Sequence, residues 1–244
     1  MHSINEHMKG IAAPDATDSM EKITHIPAEF LESAAIMQAA DTEIRKALAN
    51  ANITWQEYPY WDLIGNAEGS AIAKAYSMQG ILKYHGMADW HWRTAFVPSI
   101  SVNNDAAHTI TRVDFERGLK TDILTINGGI TAGRPLQRVV RVLDHVRALS
   151  GSAYGARVQS INVMNAAGAA KGLGTSAAAG AALAMAALAA ALGPKASGNM
   201  CLVSSTARLL AGSACRSAVG GLALWLSYPG IAHDNCFAVR LDSA

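Results

Sequence analysis

Apolar residues recur at roughly helical spacing between Ala28 and Asn50, where Phe30, Leu31, Ala34, Ile36 and Met37 predict one apolar face and Pro27 suits the first turn. Residues 1–24 before it are polar, mixed in charge and without a period, and read as a mobile tail. Trp55, Tyr58, Tyr60 and Trp61 follow in a loop-like stretch, as packing anchors rather than a site. From Ser70 the pattern changes to short apolar runs between turns. SAIAKAYS, SISVN, AHTITRVDF and DILTIN read as strands, the third alternating well, and Asn127-Gly128-Gly129 is a turn. Pro135 to Leu149 is an amphipathic helix, with Leu136, Val139, Val140, Leu143 and Val146 on one side and Arg138, Arg141 and Arg147 elsewhere. ARVQSINVMN is a further strand. An alanine-rich helix runs from Thr175 to Leu192 and is closed by Gly193-Pro194. Helices near Leu202–Ala211 and Ser213–Gly220, then strands LALWLSY and CFAVRLD, complete the chain. Strands first and helices later predict an α+β layered domain without internal repeats.

The most suggestive local chemistry lies where the strand ending at Asn165 gives way to the alanine-rich helix. Lys171-Gly172-Leu173-Gly174-Thr175-Ser176 combines glycines that let a ligand approach the backbone, free N–H groups at a helix start, two hydroxyls and a cation. That set suits a phosphate chain. It is not a P-loop, because no lysine follows the second glycine at the required place. Two plainer readings stand beside it: an ordinary core helix capped by Ser or Thr, and a membrane span, since residues 172–194 carry no charge. Alanine is barely apolar and neither end carries Trp or Tyr, which disfavours the span.

Half of the 244 residues are hydrophobic and 16% are charged, enough to bury a core. Cys201, Cys215 and Cys236 have no paired spacing, which argues against a disulfide framework or zinc site and fits a reducing cytosol. The N-terminus is too polar for a secretory signal. The net charge of +1 conceals a division: residues 1–69 carry four basic and eleven acidic side chains, and residues 70–244 carry sixteen basic and eight acidic. A basic body suits an anionic small molecule. The absence of basic clusters interleaved with aromatics disfavours nucleic acid. His108, His145 and His233 are scattered and suggest no metal cluster. The chain divides into an acidic, one-helix extension over 1–69 and a ligand-binding domain over 70–244.

Three ordered motifs then carry a resemblance. GLGTSAAAGAALA, starting at Gly172, resembles the GLxSSAA loop of mevalonate diphosphate decarboxylases and other GHMP kinases. Gly212-Ser213-Ala214-Cys215-Arg216-Ser217, followed by Gly220-Gly221 and Trp225, is similar to the decarboxylase signature GSACRSxxGGxxxW. Lys83-Tyr84-His85-Gly86, followed by Asp89 and Pro98-Ser99-Ile100-Ser101-Val102, resembles the family's IKYWG…D…P…SISV block. The family's tryptophan after the tyrosine is His85 here, and its next lysine is Met87. KYHGM resembles the archaeal branch acting on mevalonate 5-phosphate. Loss of a cation that contacts the diphosphate in relatives weakens affinity for the more charged substrate. Diphosphate-specific and 3,5-bisphosphate-specific decarboxylases are the alternatives within the family. A GHMP small-molecule kinase and a non-catalytic homologue are the alternatives outside it.

The resemblance implies a GHMP kinase N-terminal domain, with a ribosomal-protein-like β-α-β layered sheet, and an ATP-dependent decarboxylation. ATP phosphorylates the tertiary 3-hydroxyl of a mevalonate phosphate; that phosphate then leaves as the carboxylate departs as carbon dioxide. It implies that Gly172, Gly174, Thr175 and Ser176 cradle ATP phosphates, with Mg2+. Arg216 would clamp the carboxylate, Ser213 would bond the same end, and Lys83 would stabilise charge at the reacting hydroxyl. Tyr84, His85 and Gly86 would shape the substrate pocket, while Asp89 could simply order the loop. Ala211 replaces a family serine, so one hydroxyl contact is missing. The implied setting is cytoplasmic isoprenoid and lipid biosynthesis, without nucleic-acid or membrane partners and with room for a homodimer. In the family a second domain supplies the aspartate that acts on the hydroxyl, and here Asp234 and Asp242 stand in the wrong context to replace it. The C-terminal GHMP domain is therefore expected to be absent from this chain, and activity of the chain alone to be reduced on the order of hundreds to thousands fold.

Overall fold

The computed structural model describes residues 26, 28–59, 65, 68–165 and 174–242. The expected N-terminal tail, Pro27, Tyr60, Trp61, and Lys171, Gly172 and Leu173 of the glycine-rich loop lie outside the described residues.

A seven-stranded sheet is organised around one long strand. β1 (Gly69–Leu82) pairs antiparallel with β4 (Ser99–Glu116) from Gly69↔Phe115 to Leu82↔Ile100, with bulges after Tyr76 and Gly80. β2 (Met87–Asp89) and β3 (Thr94–Ala95) form a small hairpin between them. The other side of β4 is shared. Its first residues, Ser99 to Val102, pair with β8 (Leu222–Trp225), and Ala107 to Glu116 pair with β7 (Gly155–Met164). β5 (Ile123–Ile126) runs parallel to β7 and antiparallel to β6 (Gly129–Thr131), while β9 (Ala238–Arg240) closes the other end against β8.

Helices cover one face. α2 (Arg134–Ser150) has the predicted amphipathic character and buries Val139, Val142, Leu143 and Val146. α3 (Thr175–Leu192) lies against β1 and β4 and meets α2, α5 (Met200–Arg208) and α6 (Ala214–Val219). It is long enough and apolar enough to cross a membrane by composition, with a mean hydropathy of 1.7, but 67% of it is buried inside this core. Alanine explains the position. Small side chains let a helix approach a sheet and three other helices without gaps. The short α4 (Pro194–Ser197) links α3 to α5.

Several boundaries differ from the sequence reading. SISVN and AHTITRVDF are two ends of the single strand β4. The intervening Asn103–Ala106 stays extended, Asn103 and Asn104 paired with Met78 and Ser77 and a bulge in β4 following before His108. β2, β3, β6 and α4 are too short to show a period. The helix expected over Leu202–Ala211 is α5, which stops at Arg208, and the last two strands are shorter than LALWLSY and CFAVRLD.

α1 (Leu31–Asn50) occupies the expected span after a single 3-10 turn, Ala28–Phe30, but not with the expected face. Leu31 and Ile36 are more than half exposed, and the buried residues are Ala34, Asp41 and Leu48. Leu48 and Ile53 join Leu224, Leu226, Phe237 and Val239 in a cluster beside β8 and β9. Arg45 is the polar clamp of this contact. Its guanidinium binds Asp41 at 2.6 Å, donates to the Asn235 carbonyl at 3.0 Å, and lies 5.6 Å from the Trp55 ring and 5.4 Å from Phe237. Trp55 and Tyr58 are thus packing residues, as expected.

Candidate active site

α6 follows the tight Gly212-Ser213 turn and carries Arg216 inward, where it is 2% exposed. One guanidinium nitrogen donates to Ser99 Oγ at 2.6 Å, from the first residue of β4. The guanidinium lies 5.6 Å from the Tyr84 ring and 5.9 Å from the Trp225 ring. Its Nε has no partner, and no carboxylate pairs with it among the described residues. Burial lowers its pKa, with Cys215 and Tyr84 opposing. A buried cation faced by a hydroxyl and two aromatic rings is costly to hold. An anionic ligand would supply the missing counter-charge.

The strand end after β1 builds the next wall. Tyr84 meets Trp225 edge-on at 4.9 Å. Burial raises the Tyr84 pKa, Cys215 adds to this, and Arg216, Arg93 and a backbone hydrogen bond from Ser213 oppose it. The signature glycine has a steric reason. A Cβ on Gly212 would lie 2.8 Å from Met87 Cε, 3.1 Å from the Tyr84 hydroxyl and 3.2 Å from the Trp225 ring. Ser213 is half-buried and its side chain makes no cap bond to α6, leaving the hydroxyl available. Arg216, Ser213, Tyr84 and Met87 are therefore brought together. Lys83, His85 and Gly86 are exposed at the rim. Among the described residues neither Lys83 nor His85 makes a hydrogen bond or ion pair, and the Lys83 stem folds over Gly80. Asp89 orders its hairpin, accepting from the Trp92 backbone N–H at 2.7 Å.

The glycine-rich segment enters the description at Gly174, which has φ +74°, and a Cβ there would sit 2.4 Å from the Met78 carbonyl. Only glycine satisfies both the left-handed backbone and that approach to β1. Thr175 is half-buried, Ser176 is exposed, and no side chain caps the helix. Beside Ser176 a mostly apolar cleft of about 150 Å3 opens between α2, α3 and the sheet, lined by Pro135, Val139, Leu124 and Leu210. The sequence reading missed this cleft, whose walls come from six separate segments.

One expectation about polar residues changes. His145 and His233, distant in sequence, meet with ring centres 4.9 Å apart. His233 lies 4.3 Å from the Trp92 ring, and Arg208 bonds its Nδ1 at 2.8 Å. Burial pushes the His145 pKa down to about 4 and that of His233 well below its ordinary value, with Arg208 adding to both. Among the described residues no group of three His, Cys, Asp or Glu side chains converges on one point. Asp242 is occupied by Arg240 and the Leu222 N–H.

A mixed sheet covered on one face by helices, with a glycine-led core helix and a buried arginine after a Gly-Ser turn, defines an N-terminal domain of the GHMP superfamily. The chain belongs to the diphosphomevalonate decarboxylase-like N-terminal domain family, whose model matches residues 75–238. It is 35% identical over 175 residues to a phosphomevalonate decarboxylase of Haloferax volcanii, covering 71% of this chain and 51% of that protein. The crystal structure of mevalonate diphosphate decarboxylase from Staphylococcus aureus superposes with a TM-score of 0.64 at 32% identity, covering 72% of this chain and 51% of its own. A structure of MDDEF in complex with MVAPP, AMPPCP and magnesium superposes with a TM-score of 0.62 at 31% identity, covering 72% and 51%. The chain thus spans about half the length of these relatives.

Proposed function

We propose that this chain forms the ATP- and substrate-binding half of an ATP-dependent decarboxylase acting on mevalonate 5-phosphate, giving isopentenyl phosphate. The observation that carries the reading is Arg216, a buried cation without a carboxylate partner among the described residues, inside the motif GSACRS. Its planar fork matches a carboxylate bidentately, and Ser213 stands beside it. Holding the carboxylate as an anion until the 3-oxygen becomes a good leaving group is the task these residues suit. Tyr84 and Trp225 keep water from that end of the substrate. Lys83, exposed at the rim, is the cation available to the reacting hydroxyl.

ATP supplies the phosphoryl group that converts the tertiary hydroxyl into a leaving group. Gly174, Thr175 and Ser176 would hold its phosphates, together with Gly172, and the apolar cleft beside Ser176 offers its base a dry surface. Magnesium would be carried by those phosphates, because among the described residues no cluster of carboxylates or imidazoles is built to cage it. The Haloferax relative and the structure with AMPPCP and magnesium support the substrate class and the nucleotide. We assign the enzyme to the cytoplasm, with residues 1–69 as an appended helical element, a homodimer compatible and no nucleic-acid or membrane partner.

The test is ATP-dependent carbon dioxide release with mevalonate 5-phosphate and with its 5-diphosphate. We expect turnover of the monophosphate to exceed that of the diphosphate. Faster turnover of the diphosphate would remove the substrate assignment. A stable 3-phosphate product without carbon dioxide would make the protein a kinase.

A further inference from the structure

The sequence pattern puts the arginines of α2 away from its apolar side. Three of them, Arg134, Arg138 and Arg141, are spaced at intervals of four and three residues, on one side of the helix, and two of the three make contacts outside it. Arg138 donates from Nε at 2.9 Å and from Nη2 at 2.6 Å to the Leu210 carbonyl, two residues before Gly212 and the Tyr84 hydroxyl. Arg141 reaches the Trp90 carbonyl at 3.4 Å in the turn of the β2–β3 hairpin. The same turn carries Arg93, held at φ 53°, with its Nε buried and without a partner. Among the described residues none of the four is paired with a carboxylate. The hairpin's own carboxylate, Asp89, is engaged by the Trp92 N–H. Burial and then the other arginines lower the Arg93 pKa, and the same two causes act on Arg138, so the cluster is mutually repulsive. Arg93 is thus a half-buried cation in a turn whose own carboxylate is engaged, with Arg141 reaching the same turn from α2.

We propose that Arg93 and Arg141, with Arg134 beside them, form a phosphoryl-binding site next to Tyr84 that takes the phosphate end of the substrate, while Arg138 is a positioning residue that fixes the Leu210–Gly212 turn. This deepens the proposed function and rests on it for the identity of the substrate. It also accounts for Met87. Where relatives of the resembled family carry a lysine, this chain packs a thioether against Gly212 and Tyr84. The charge comes instead from a hairpin arginine and a helix face. A planar guanidinium fork can donate in parallel to two oxygens of a tetrahedral phosphate monoester.

Calorimetry on the 244-residue chain tests the site with mevalonate 5-phosphate, unphosphorylated mevalonate, inorganic phosphate and AMPPCP–magnesium. Arg93→Gln and Arg141→Gln are expected each to weaken mevalonate 5-phosphate about tenfold or more, the scale of a lost charge-assisted hydrogen bond. Mevalonate and AMPPCP affinities stay unchanged, thermal midpoints hold, and Arg93→Lys restores part of the loss. Unaltered binding of mevalonate 5-phosphate in both glutamine variants overturns the site. So does a loss confined to AMPPCP, which would give these arginines to the nucleotide. If the unmodified chain ignores mevalonate 5-phosphate but binds inorganic phosphate, and Arg93→Gln abolishes that, the phosphoryl site stands and the substrate reading falls. Binding of neither overturns both.

Discussion

Arg216 combines two properties that pull in opposite directions: it is almost wholly buried, and its partners are a serine hydroxyl and two rings. A buried charge of this kind lowers stability while it prepares the pocket for an anion. Arg216→Met keeps the stem and removes the charge. We expect its thermal midpoint to hold or rise by a few degrees, as judged by scanning calorimetry. Affinity for a carboxylate-bearing substrate should fall about tenfold to a hundredfold. A large drop in the midpoint would instead make Arg216 a structural residue. The motif around it was legible in the sequence through its resemblance to the family signature, and the fold sets Gly212 against Tyr84 and turns Arg216 inward from the same turn. Arg93 was not, because a lone arginine in a turn shows no pattern until α2 is folded against it.

At the scale of elements, long periodic segments were readable and short or shared ones were not. α2 and α3 fall within a residue of their expected bounds. β4 was read as two strands because its centre, Asn103-Asn104-Asp105, is polar, whereas pairing with β1 and with both β7 and β8 holds it extended. α1 was found, but its buried side was misread. Its contact with the body is narrow, and packing at Leu48 and the Arg45 clamp outweighs the denser apolar cluster near its start. Leu48→Ala should therefore destabilise the protein by about 2–4 kcal/mol. Ile36→Ala, on an exposed side chain, should change it by less than about 0.5 kcal/mol. Urea titration of both variants checks the pair; equal effects would restore the original face.

For the whole molecule the buried pair His145 and His233 sets a response to acid. Both are held neutral in the fold by burial and by the Arg208 cation, with His91 adding to it. In the unfolded chain they accept protons near the ordinary pKa of about 6.5. Their contribution is intact above that pH and is lost as pH falls towards about 4, the value for His145. For His145 alone this amounts to about 3 kcal/mol. Unfolding free energies measured between pH 7 and 4 should fall steeply, and His145→Phe should flatten the curve; an unchanged slope would remove this assignment. The main hydrophobic core is built largely on α3, whose buried residues are nine alanines, two leucines and one glycine. Such a core inverts the usual sensitivity to substitution. Little can be lost by truncating a methyl group, but each added methylene must displace the sheet or a neighbouring helix, at about 1–3 kcal/mol. Sequence drift in this helix is therefore bounded from above in volume rather than from below, and its alanines leave evolution one small change, to glycine.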